Sequence, residues 1–157
     1  MLEILTPLVK LHRVSRSVDT SAFVAKPGIW GELQPDGSLK NIVTDTPAKI
    51  NKLVVNSASE NIYESNDVEV GRVTTIEDFG VRCLVDGEGF TGDPAVGDLL
   101  AVSTVATFEG KLFSTTENPN DEDNDFEVVA RVEEVDAIAG TIVYKTISPQ
   151  YPVTVAP

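Results

Sequence analysis

The chain has 157 residues, 41% of them apolar and 24% charged, with one cysteine and a formal net charge of −13. That length supports one domain with a sizeable core, and the composition excludes disordered, fibrous and disulfide-stapled classes. The acidic balance opposes nucleic acid and anionic lipid as direct partners of the body, because their charges have the same sign.

In chain order, an N-terminal arm over 1–25 precedes a β domain over 26–157. The opening "MLEILTPLVKLHRVSRSV" is interrupted by Glu3, Pro7 and Lys10. It is too short and too polar to span a bilayer, and it lacks the small-residue cleavage pattern of a secretion signal. A cytoplasmic product without a membrane anchor is expected. Up to residue 26, Lys10, Arg13, Arg16 and Lys26 stand against Glu3 and Asp19, so a mildly basic arm precedes an acidic body. Leu2, Ile4, Leu5, Leu8, Val9 and Leu11 are too many apolar groups for a free tail. Either they fold back on the body or they bury against a neighbouring subunit.

The body opens with "KPGIWGELQPDGSLKNIV", where Pro35-Asp36-Gly37 turns one strand into the next. "KINKLVVN" follows, then "DVEVGRVTTI", in which Gly71 shifts the alternation as a bulge would. Residues 80–85 alternate Val81, Cys83 and Val85 with Arg82 and Leu84, which places the thiol inward as a small hydrophobe. Strands are further predicted over 97–104, in the short "KLFS", over Asp125 to Asp136, and in "TIVYKTI" after Ala139-Gly140. Within 125–136, Phe126, Val128, Ala130 and Val132 face one way while Glu127, Arg131 and Glu133 face the other. No stretch holds a 3.6-residue period. The expected class is all-β: a single-domain two-sheet sandwich, jelly roll or barrel of about eight to ten short strands, with an extended arm.

Chemistry-bearing patterns are few. Gly87, Gly89 and Gly92 match the spacing G-x-G-x-x-G, but that fingerprint works only where a helix follows and points its first amides at a phosphate. Here Asp93, Pro94 and Gly97 lead into "DLLAVS", a strand, and Asp86, Glu88 and Asp93 would repel the pyrophosphate. In "ENPNDEDNDF", Asp121, Asp123 and Asp125 open like a calcium loop, yet Phe126 stands where glycine is needed and Val132 where a bidentate Glu is needed. An exposed acidic loop is expected instead. His12 and Cys83 alone cannot complete a zinc site, and a catalytic triad would need His12, which lies in the arm. Carboxylate pairs for glycoside hydrolysis exist in any acidic chain, but one Trp and three Tyr are too scattered to build a carbohydrate platform. No catalytic, cofactor or metal residues are assigned.

The succession "KPGIWGELQPDGSLKNIV", "VEVGRVTTIEDFGVRCLVDGEGFTGDPAVGDLLAVS", "GKLFSTT" and "VVARVEEVDAIAGTIVYKTIS" resembles the small cement or decoration proteins of tailed-bacteriophage heads. The resemblance covers about residues 26–148. It implies a non-enzymatic virion protein on the capsid outer surface, made in the host cytoplasm, with the major capsid protein as partner and a homo-oligomeric arrangement on the shell. From the residues themselves, the candidate partner contacts are Leu2, Leu5, Leu8, Leu11, Arg13 and Arg16 of the arm. Trp30 beside the arm is either an aromatic anchor or a plain core residue. The alternative function is a receptor- or glycan-binding β module of a phage tail or bacterial surface.

Overall fold

Strands dominate because β-branched and aromatic residues recur at period two between turn dipeptides. A computed structural model describes residues 2–7, 11–18, 27–40, 51–55, 72–103, 110–117 and 125–154. Among the described residues there are strands and no helix, so none is long and apolar enough to cross a membrane. The strands are β1 (Leu2–Ile4), β2 (Arg13–Ser17), β3 (Trp30–Leu33), β4 (Leu39–Lys40), β5 (Asn51–Val55), β6 (Arg72–Ile76), β7 (Arg82–Asp86), β8 (Leu99–Val102), β9 (Leu112–Ser114), β10 (Asp125–Asp136) and β11 (Thr141–Thr154). They form a six-stranded sheet in the order β1-β7-β11-β10-β8-β9 and a five-stranded sheet in the order β2-β6-β5-β3-β4, each paired antiparallel.

The core lies between the sheets. Trp30, Leu53 and Ile76 of the smaller sheet meet Val85, Leu100, Leu112 and Tyr144 of the larger one. Burying side chains of this size at roughly 25 cal/mol per Å² is the main stabilising contribution. A second cluster, Ile29, Leu39, Val54 and Val73 with Val18 and Leu33, uses alternate residues of the same strands and so lies on the other face of the smaller sheet. That sheet curls around it until Val18, just past β2, bridges Leu39 in β4 at the opposite edge. Closure of this kind removes exposed edges.

The N-terminal residues are extended, and they fold back on the body. Leu2, Glu3 and Ile4 pair with Val85, Leu84 and Cys83 at one edge of the larger sheet. Arg13 to Ser17 pair with Ile76 to Arg72 at one edge of the smaller sheet. The strand pattern therefore starts upstream of residue 25, which corrects the expectation that it begins with the body. The physical reason is that these strands are only three and five residues long, and the inward face of β2 carries Arg16 where an apolar residue would reveal a strand.

The Pro35-Asp36-Gly37 turn forms as expected: the Asp36 carboxylate accepts hydrogen bonds from Ser38 N at 2.9 Å and Ser38 Oγ at 2.6 Å, and Gly37 takes a φ of 87°. Along β10, Val128, Ala130 and Val132 are buried and Arg131 is exposed, matching the predicted alternation, but Val129 is buried as well. Register shifts between Val128 and Ala130 bend the strand and bring consecutive residues inward. The bulge predicted at Gly71 and the acidic loop around Asp121 and Asp123 lie outside the described residues.

Candidate protein-binding surface

Arg16 projects from the inward face of β2 and is spent inside the fold. Its Nε donates to Thr75 Oγ1 at 3.1 Å, Nη1 to the Gly37 carbonyl at 3.0 Å, and Nη2 to Glu77 Oε1 at 2.7 Å. Lys52 Nζ lies 2.6 Å from the other Glu77 oxygen, and the Thr75 hydroxyl donates to Glu77 Oε1 at 3.0 Å. Burial alone would raise the Glu77 pKa, but hydrogen bonds from Lys52, Arg16 and Thr75 and the charge of Lys52 outweigh it, lowering the value from 4.5 to about 2. A depressed carboxylate stabilises the fold above its unfolded value and loses that contribution as pH falls through the folded one. Glu77→Gln is therefore expected to cost about 3 kcal/mol near neutrality. The gap should close as pH falls from 4.5 towards about 2, as read from urea midpoints of both proteins. An equal gap at all these pH values would contradict the assignment.

Trp30 is 5% exposed and belongs to the main core, which is the plain-core alternative of the two drawn from the sequence. Its Nε1 and the Tyr144 hydroxyl are both buried without a hydrogen-bond partner of good geometry. Cys83 is fully buried, as its strand parity predicts, and burial pushes its thiol up to about 12. Since the thiolate is the reactive form, this thiol is inert in the folded protein.

The other arm residues divide. Leu2 and Leu11 are half-buried and pack against the main core, Leu5 is exposed, and Leu8 lies outside the described residues. Arg13 stands on the exposed side of β2. Among the described ones, Leu5 and Arg13 sit on different sheets. Leu5 N bonds to the Arg82 carbonyl at 2.9 Å on the larger sheet, whereas Arg13 pairs with Ile76 on the smaller one.

The glycine-rich stretch closes the larger sheet. Leu112 N donates to the Gly89 carbonyl at 2.9 Å and Thr91 N donates to the Leu112 carbonyl at 2.8 Å, so residues 89–91 cover the outer edge of β9. Phe90 packs on the main core, and a Cβ at Gly89 would sit 3.0 Å from the Val85 Cβ. Residues 99–102 then form β8, so the helix that a dinucleotide fingerprint requires does not follow. Among the described residues no group of three or more His, Cys, Asp or Glu side chains is placed to hold a metal.

The sequence reading missed an apolar end on the larger sheet. Ile138 is 102% exposed, Val135 41% and Val96 65%. Ile138 sits in the turn between β10 and β11, where Asp136 Oδ1 accepts from Ile138 N at 3.0 Å and Ala139 N at 2.9 Å, and Gly140 takes a φ of 68°. The segment holding Val96 is tied to β10 by Gly97 N to the Val132 carbonyl at 2.9 Å. It is tied to β9 by Asp98, whose Oδ2 accepts from Ala95 N at 2.9 Å and Ser114 Oγ at 2.6 Å. The signal was present in "VDAIAG": an Asx turn followed by glycine places the intervening Ile at a tip, outside any sheet face.

The architecture is all-β, two antiparallel sheets with an exposed apolar turn at one end of the larger one. No family model, curated protein or solved structure matches the chain.

Proposed function

We propose that the protein is a structural virion protein that binds the outer surface of a tailed-phage capsid shell and reinforces it. Its partner is the major capsid protein, and copies are arrayed by the shell lattice; nucleic acid and membrane have no part in the contact. The observation that carries this reading is the full exposure of Ile138 in the turn that ends β10, with Val135 of the same strand also exposed, on an otherwise acidic body. Ile138, held out in water by the hydrogen-bonded turn, supports a contact with a protein partner. The resemblance to cement proteins over residues 26–148 supports a capsid shell as that partner, and an acidic surface would keep the unassembled protein away from packaged DNA.

A protein that binds only the assembled shell stabilises it by mass action. Intact protein incubated with expanded empty shells of its phage is expected to pellet with them and to raise their rupture temperature. Intact protein that stays in the supernatant at every concentration tested would remove the reading.

A further inference from the structure

We propose that the β10–β11 turn is the docking knob of the protein, with Ile138 entering an apolar socket on the capsid shell that is rimmed by Lys or Arg. This inference rests on the shell-binding reading and deepens it by naming the contact and its chemistry.

The turn combines three properties. First, Ile138 is fully exposed, and the flanking Ala137 and Ala139 are exposed too, so the tip presents an apolar point without internal partners for its side chain. Second, the point is preorganised. The two hydrogen bonds to Asp136 Oδ1 fix the backbone at Ile138 and Ala139, and β10 and β11 continue the pairing up to Asp136 and Thr141. Little ordering entropy is lost when such a group docks. Third, the knob wears an acidic collar. Glu133, Glu134 and Asp136 precede the tip. Arg82 lies 2.6 Å from Glu133 and 3.0 Å from Glu134, which holds these two carboxylates in place but neutralises only part of the collar.

The collar decides among occupants. A second copy docked tip to tip would set collar against collar, and an anionic bilayer would face the same repulsion. A protein socket with an aliphatic floor and a cationic rim satisfies both the point and the ring. Steering by that rim makes association dependent on salt, while burial of Ile138 fixes the complex.

The test is co-sedimentation of intact protein, Ile138→Asp and the control Phe79→Asp with empty shells across a salt series. Phe79 is exposed in the loop before β7, away from the knob, and both variants alter exposed side chains. Ile138→Asp is expected to lower the apparent affinity roughly tenfold to a hundredfold, the loss that goes with one buried aliphatic side chain. Phe79→Asp should bind like the intact protein, and intact binding should weaken as salt rises. Equal sedimentation of Ile138→Asp and intact protein would overturn the knob while leaving the shell-binding reading standing. Intact protein that does not sediment would overturn both. Intact protein that instead floats with phosphatidylserine vesicles, or forms a dimer that Ile138→Asp dissolves, would also overturn the assigned occupant.

Discussion

Deletion of residues 1–16 is expected to abolish the cooperative melt or to lower its midpoint by well over 10 °C. The deletion removes β1 and nearly all of β2, and with them an edge partner of each sheet. Leu2, Ile4 and Leu11 leave the main core, at roughly 1–2 kcal/mol each for half-buried aliphatic groups. Loss of Arg16 takes from Glu77 one of the cations that hold it ionised, and it takes from Thr75 and the Gly37 carbonyl a donor each. Breaking a network of this kind adds several kcal/mol. Together these losses are on the order of the whole stability of an ordinary domain. Of the two sequence-based readings of the arm, burial against a neighbouring subunit predicts the opposite outcome, a body that stays folded without it. Thermal unfolding followed by circular dichroism decides between them, and a truncated chain that melts within a few degrees of the intact one would restore that reading. The same geometry changes how the arm is to be probed. Arg16→Glu would report on folding, whereas Arg13→Glu alters the exposed side of β2.

Gly110→Ala is expected to be strongly destabilising. Gly110 joins the sheets: its carbonyl accepts Trp30 N at 2.9 Å, and its own N donates to the Ser103 carbonyl at 3.1 Å. A Cβ there would lie 2.5 Å from Ile29 Cγ2 and 2.6 Å from the Trp30 carbonyl oxygen, on a backbone with φ of 77°. The left-handed conformation alone costs roughly 1–2 kcal/mol for an alanine. The collision with a core side chain and a backbone oxygen adds an overpacking cost of similar size or larger. A total near 4 kcal/mol is expected. Gly97→Ala provides the comparison, because its φ is 90° but a Cβ would meet nothing within 4 Å. It should cost only the conformational part, about 1–2 kcal/mol. Urea midpoints of the two variants give the difference directly, and equal losses would show that the sheets do not approach at Gly110 as described.

Particular residues show how far the sequence could be read. Cys83 and Val85 were placed inward because β7 alternates cleanly, and β10 was bounded at Asp125 and Asp136 because turn chemistry flanks it on both sides. Period-two patterning and turn residues are local signals, and a two-sheet fold accumulates enough of them to be recognised. The arm was harder. The β2 strand alternates Arg13, Ser15 and Ser17 with Val14 and Arg16, so its inward face is half ionic. That position makes sense only once Glu77, Lys52 and Thr75 arrive from other strands, a long-range fact absent from any window of sequence. Trp30 stayed ambiguous for the same reason, since core and anchor place identical demands on the chain near it. The tip at Ile138 was legible as a turn but not as a surface. Sheet alternation sorts residues into two faces, and a turn residue belongs to neither.

The central claim is that this protein attaches to the outside of a capsid shell, and electron cryo-microscopy of expanded shells mixed with it tests that claim most directly. The predicted result is a repeating outer density that fits the two-sheet body, oriented with the turn at Ile138 against the shell and the Asp125–Thr154 end of the β10–β11 pair away from that contact. Shells with bare outer surfaces, at protein concentrations that saturate co-sedimentation of a known shell ligand, would contradict it.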